Sequence, residues 1–132
     1  MPALLQPVQT AAALTDSVIV GFSGGKDSVV TLDLCIKHFK RVEAYFLYYV
    51  PGLSFQGRML QWAEQRYGIA IYRCPHWELA EFMRNGVWRP VDLTIPTVSI
   101  KKFYAYLREH FGAYWIAGGE RIADSIFRRA TI

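Results

Sequence analysis

Six consecutive residues, Ser23-Gly24-Gly25-Lys26-Asp27-Ser28, put two hydroxyls, two glycines, a cation and a carboxylate into one short stretch. An apolar run from Ser17 to Phe22 precedes them, and Val29, Leu32, Ile36 and Phe39 follow at helical spacing up to Lys40. That order predicts a strand, a tight turn and a helix N-terminus. Such a junction favours anions. The glycines at 24 and 25 let the backbone turn sharply and approach a ligand, while the first helical turn offers unpaired N–H donors and the positive end of the helix dipole. Ser23, Lys26 and Ser28 add polar side chains to a cradle made mainly of backbone, and a phosphate or sulfate is the ligand it suits.

The Walker A loop requires G-x-x-x-x-G-K-[ST]. Here the residue five before Gly25 is Val20 and the residue after Lys26 is Asp27, so the pattern fails at both places. The stretch instead resembles the pyrophosphate loop of the adenine nucleotide alpha hydrolase superfamily. Within that superfamily it is most similar to the phosphoadenosine phosphosulfate reductase family and the small subunit of ATP sulfurylase, which share a lysine before the aspartate. The resemblance implies an adenine nucleotide as ligand, either ATP or phosphoadenosine phosphosulfate. Relatives with this loop commonly split ATP between its alpha and beta phosphates, with magnesium neutralising the pyrophosphate. It also makes Lys26 a candidate for stabilising transferred charge. Asp27 has two readings, a contact to magnesium or its water, and a charge that suits the first turn of a helix.

A second segment, Gly119-Glu120-Arg121-Ile122-Ala123-Asp124-Ser125-Ile126-Phe127-Arg128, reads G-x-R-x-x-[DEQ]-S-x-x-R. It resembles the substrate-contacting segment of phosphoadenosine phosphosulfate reductases, which implies Gly119, Arg121, Ser125 and Arg128 as further nucleotide-binding residues. Two guanidinium forks and a hydroxyl can chelate phosphate or sulfate oxygens in a way no lysine reproduces. Two departures stand against reductase chemistry. Those reductases keep a catalytic cysteine in a C-terminal Glu-Cys-Gly tail, which is not found up to Ile132, and their Asp-Thr-Gly signature after the second strand is reduced here to Gly52 within Tyr49-Val50-Pro51-Gly52.

The remaining reactive residues say less. His38 and His110 sit late in predicted helices, where a cation suits the helix C-terminus. His76 follows a predicted strand on the ligand edge and is a third catalytic candidate, as an acid or base. Tyr49, Trp77 and Trp88 can stack an adenine or can simply pack. Cys35 shares a helix side with Leu32 and Phe39 and reads as a buried thiol; Cys74 lies far from it, with no C-x-x-C and no His/Cys cluster at metal spacing. No metal site is predicted.

These residues need a scaffold, and the 132-residue chain supplies one domain's worth. With 52% hydrophobic and 15% aromatic residues, disorder is excluded. The net charge of +4 suits a small anion; the charges are scattered apart from Arg128 and Arg129, so nucleic acid is not indicated. Residues 1–16 read as a lead-in, helical around Gln9 to Leu14, and residues 17–132 as the nucleotide-binding domain. Further strands are expected at Arg41–Val50, Ile69–Arg73 and Ala113–Ala117. Helices are expected from Ser54 as cap to Gly68, from Trp77 to Arg84, and from Thr97 or Ser99 to Gly112, with a loop over Val87–Pro96. Alternating strands and helices predict an α/β fold, an open parallel sheet with helices on both faces in three layers. No apolar run reaches membrane length and no leader is legible, so a cytoplasmic protein is expected. Three functions stay open: a domain of the phosphoadenosine phosphosulfate reductase type, an ATP pyrophosphatase subunit that serves sulfur or amide transfer with a protein partner or as a homo-oligomer, and a non-catalytic nucleotide-binding module.

Overall fold

The computed structural model describes residues 2–118. In chain order it contains α1 (Pro2–Leu14), β1 (Ser17–Gly21), α2 (Lys26–His38), β2 (Arg41–Tyr48), α3 (Ser54–Tyr67), β3 (Ile71–Pro75), α4 (Leu79–Arg84), α5 (Ile100–Phe111) and β4 (Ile116–Ala117). The strands form one sheet in the order β3-β2-β1-β4, and all pairings are parallel. The register runs from Ser17↔Arg41 to Gly21↔Tyr45 between β1 and β2, from Ala44↔Ile71 to Tyr48↔Pro75 between β2 and β3, and over Ile19↔Ile116 and Val20↔Ala117 between β1 and β4.

Helices cover both faces of this sheet, as the sequence pattern predicts. Side chains alternate across a strand, so Val18 and Val20 of β1 join Ala44, Phe46 and Ile71 on one face. There they pack against Leu32 and Cys35 of α2, Leu60 and Ala63 of α3, and Val8 of α1. Ile19, Tyr45 and Cys74 point the other way and meet Phe103, Tyr104 and Leu107 of α5. A strand buried on both faces has no polar side to show, which is why β1 reads as an unbroken apolar run; Ile19 and Val20 are both 0% exposed.

Four local features differ from expectation. α1 is helical from Pro2, with Pro7 inside it, and it docks on the core through Val8. The N-cap of α3 is Leu53, with no side-chain cap bond, so Ser54 opens the helix and does not cap it. β3 starts two residues later than predicted and runs through Pro75. β4 is confined to Ile116–Ala117, although Trp115 O already accepts from Ile19 N–H at 2.8 Å. Of the two starts expected for α5, Thr97 or Ser99, the structure takes Ser99 as the N-cap, its hydroxyl accepting from Lys102 N–H at 3.2 Å.

Among the described residues β3 forms one border of the sheet, and its open side is closed by side chains. Glu64 of α3 accepts from Ile71 N–H at 2.9 Å, and Arg73 donates to Ile71 O at 2.9 Å. Arg73 and Glu64 are themselves paired at 3.0 Å. Four residues on, Pro75 has no N–H to leave unpaired.

Candidate functional site

β1 is an inner strand with β2 on one side and β4 on the other. The chain leaves β1 toward β2 and β3 and returns on the opposite flank, so the strand order reverses beside β1. In open parallel sheets the crevice outside the carboxyl ends of the strands at such a reversal is where ligands bind. The Ser23–Ser28 loop occupies it.

The loop is braced from within. Ser28 is 5% exposed, and its hydroxyl accepts from Gly24 N–H at 3.1 Å and from Ser23 Oγ at 3.3 Å while donating to Gly25 O at 2.9 Å. All hydrogen-bonding capacity of that hydroxyl is used in holding the turn. Gly24 sits at φ +86°, where side chains are strained, and an added Cβ would lie 1.8 Å from Met59 Sδ of α3. α3 thus packs directly under the loop. Gly25 is the N-cap of α2 with φ −72° and ψ 163°, and no side chain caps the helix. The N–H groups of the first turn of α2 therefore face outward without an intrahelical partner, with exposed Ser23 and Lys26 beside them and half-buried Asp27 in the same turn. Thr31 fastens that turn by donating to Asp27 O at 2.8 Å. Tyr45 supports the strand end from the other face, its hydroxyl so close that a Cβ at Gly21 would meet it at 2.9 Å. Met59 and Tyr45 carry no signal in sequence spacing, because each reaches the loop from an element remote in the chain.

His76 is not brought onto the loop. It follows β3, two strand positions from β1, roughly 10 Å at usual strand spacing. Its ring stacks on Tyr49 at 4.5 Å and lies 5.3 Å from Trp77, and Nδ1 accepts from Glu78 N–H at 3.1 Å. Tyr49 in turn is 6.1 Å from Phe82, which meets Trp88 edge-on. An aromatic ledge thus lies beyond β2 and β3 on the edge that carries the loop. Trp88 stands out on it, 69% exposed with φ +68°. Burial of the Tyr49 hydroxyl and the nearby Glu78 carboxylate raise the Tyr49 pKa.

β4 ends next to β1, so Gly118 leaves the sheet beside the loop. Gly119, Arg121, Ser125 and Arg128 lie outside the described residues.

Comparison with protein families gives no matching family model, and no curated protein matches. Solved structures do. Glutamine-dependent NAD+ synthetase from Acinetobacter baumannii, in complex with ADP, superimposes with a TM-score of 0.63 at 17% identity over 98% of this chain. The fold is adenine nucleotide alpha hydrolase-like. A second structure with this adenine nucleotide alpha hydrolase-like fold, the U34-tRNA thiolase NcsA from Methanococcus maripaludis with its [4Fe-4S] cluster, gives a TM-score of 0.53 at 16% identity over 92% of the chain. The chain spans 26% of the synthetase and 46% of the thiolase.

Among the described residues no three of His, Cys, Asp and Glu gather as a potential metal site. Cys35 and Cys74 lie on opposite faces of the sheet, in different packing groups. Burial pushes the Cys35 thiol up to about 11 and raises that of Cys74. No described helix is long and apolar enough to cross a membrane.

Proposed function

We propose that this chain binds ATP with its phosphates on the Ser23–Ser28 loop and serves ATP cleavage between the alpha and beta phosphates to activate an acceptor. One observation carries the reading: an uncapped helix N-terminus, reached through two glycines, faces the crevice where the strand order reverses. The ADP in the Acinetobacter synthetase structure supports an adenine nucleotide as ligand on this fold. Ser23, Gly24, Gly25, Lys26, Asp27 and Ser28 form the cradle in this reading. The outward N–H groups of α2 bind phosphate oxygens, and Lys26 offsets the charge that develops on the departing pyrophosphate.

Gly119, Arg121, Ser125 and Arg128, which follow β4 in the chain, are further nucleotide-binding residues in this proposal. Magnesium fits the donor set only together with the nucleotide: Asp27 is one carboxylate, and Mg²⁺ is held by one or two carboxylates plus substrate phosphates. When bound it neutralises the phosphate charge. His76 is two strands away, where it can act as acid or base on an acceptor but not on the phosphates. A further domain, a protein partner or a second copy supplies the rest of the reaction, since the chain spans a minority of both similar proteins. A cytoplasmic setting, where ATP is abundant, goes with this reading.

A sulfated adenosine nucleotide is the second reading, favoured by the paired arginines of the Gly119–Arg128 segment. Titration calorimetry against magnesium ATP, adenylyl sulfate and phosphoadenosine phosphosulfate separates the two. ATP is expected to bind, with Lys26→Ala and Arg121→Ala each lowering affinity about tenfold or more, and pyrophosphate release is expected once an acceptor is supplied. Unchanged affinities in both variants overturn the site, and binding of sulfated nucleotides alone overturns the ATP assignment.

A further inference from the structure

The outer face of α3 carries no acid. Its core-facing side holds Leu60 and Ala63, with Met59 under the loop, and the opposite side presents Phe55, Arg58, Gln61, Trp62, Gln65 and Arg66. Phe55 is 61% exposed and Trp62 is 51% exposed. The single acid of the helix, Glu64, is spent on Arg73 and Ile71 N–H, and Asp33 of the neighbouring α2 is paired with Lys37 at 2.7 Å. Among the described residues neither Arg58 nor Arg66 has an ion-pair partner. Tyr67 steadies the far end of the face: the Arg66 guanidinium lies 5.1 Å over its ring, and Trp62 meets it edge-on at 6.4 Å.

Phe55 and Trp62 stand exposed on the same helix face as the two arginines, and their flat rings offer stacking surface to a partner. Here arginines alternate with them and amides fill the gaps. That combination matches a flexible polyanion bearing planar rings. Guanidiniums pair with backbone phosphates, aromatic faces take up unstacked bases, and Gln61 and Gln65 offer a donor and an acceptor each to base edges. A membrane surface fits less well, since the aromatic residues are interrupted by amides and charges and form no continuous apolar stripe.

We propose that the outer face of α3 binds single-stranded nucleic acid, with Arg58 and Arg66 on phosphates and Phe55 and Trp62 as base-stacking platforms. The face begins beside the Ser23–Ser28 loop, because Met59 of the same helix packs on Gly24. A strand lying along α3 therefore runs toward the carboxyl edge of the sheet. Arg58 and Arg66, eight residues apart in the sequence, are brought by the helix onto one side.

The test is fluorescence anisotropy with a labelled single-stranded RNA of about a dozen nucleotides, with titration of salt. Two phosphate contacts give a log–log salt slope of about −1.4, and Arg58→Ala or Arg66→Ala each flattens it by about 0.7. Trp62→Ala lowers affinity about 5- to 100-fold, whereas Trp62→Phe retains most of it. ATP affinity is unchanged in all these variants, and Lys26→Ala still binds RNA, so failure here is distinct from failure of the nucleotide reading. Absence of RNA binding at low salt overturns the proposal, as does RNA binding that none of the variants weakens. Equal retention of heparin and RNA by Trp62→Ala reduces the face to bare charge and also overturns it. Binding to phosphatidylserine vesicles without RNA binding assigns the face to a membrane instead. Should Trp62→Ala fail to fold, Phe55→Ala and the two arginine variants decide the outcome by the same readouts.

Discussion

Gly24 and Gly25 adjoin in sequence, yet alanine at each should fail for a different reason. At Gly24 the backbone has φ +86° and the new Cβ would lie 1.8 Å from Met59 Sδ. The left-handed backbone costs an L residue about 1–2 kcal/mol. Met59 must also retreat by about 2 Å to an ordinary contact, and its flexible side chain holds that cost to about 1 kcal/mol. Gly24→Ala is therefore expected to destabilise by about 2–3 kcal/mol, a fall of about 1–1.5 M in the urea midpoint for a slope near 2 kcal/mol/M. At Gly25 the backbone has φ −72° and the nearest atom to a new Cβ is Ser23 Oγ at 3.7 Å. Nothing in the folded chain opposes a methyl group there. Gly25→Ala should leave the midpoint nearly unchanged, because the poorer N-cap preference of alanine and its less flexible unfolded chain each contribute about 0.5 kcal/mol with opposite signs. The reason for glycine at 25 then lies with what approaches from outside. ATP affinity, measured by calorimetry on the folded variant, is expected to drop about tenfold or more, equal to about 1.4 kcal/mol. An alanine at 25 that folds and binds ATP as tightly as glycine refutes the backbone cradle, and a loss of stability as large as that of Gly24→Ala refutes the steric account.

The Glu64–Arg73 pair gives a pH prediction. The hydrogen bond from Arg73 holds the Glu64 carboxyl below its ordinary value of 4.5, aided by Ile71 N–H. A carboxyl depressed on folding adds stability that is present above the unfolded value and lost as the pH falls through the folded one. Glu64→Gln should thus cost about 0.5–1 kcal/mol at pH 7, as for partly exposed pairs. The gap to wild type should narrow in urea unfolding as the pH is lowered below the ordinary carboxyl value of 4.5; a constant gap contradicts the assignment. The Cys35 thiol, pushed to about 11 by burial, is about one part in a thousand thiolate at pH 8. An aromatic disulfide reagent should modify it only as the chain unfolds, and reaction within seconds on the native protein counters the packing described.

The loop and its flanks were legible in sequence because each step is local: an apolar run covered on both faces, two glycines, and a helical pattern from Val29 onward. The start of α5 near Thr97 or Ser99 and the buried Cys35 follow from the same kind of spacing. β3 shows what local reading cannot supply. Pro75 reads as the end of a strand, yet on the open side of a border strand there is no ladder bond for it to forfeit. Ile71 rather than Ile69 starts the strand, with its N–H held by Glu64 from the preceding helix. α1 was undervalued because its alanines and prolines give a weak amphipathic signal, and docking through Val8 is a tertiary fact. Met59 and Tyr45 reach the loop from α3 and β2, contacts that no spacing along one element reveals. The acid-free face of α3 was present in the letters, but its meaning depends on knowing which side of that helix is covered.

The closure of β3 by Glu64, Arg73 and Pro75 has an architectural corollary. A neighbouring strand arriving on that flank would find its first rungs already taken and a later one missing, so enlargement by backbone pairing is discouraged there. The helical layers are left as a route by which another polypeptide could join this domain, within reach of the crevice beside β1.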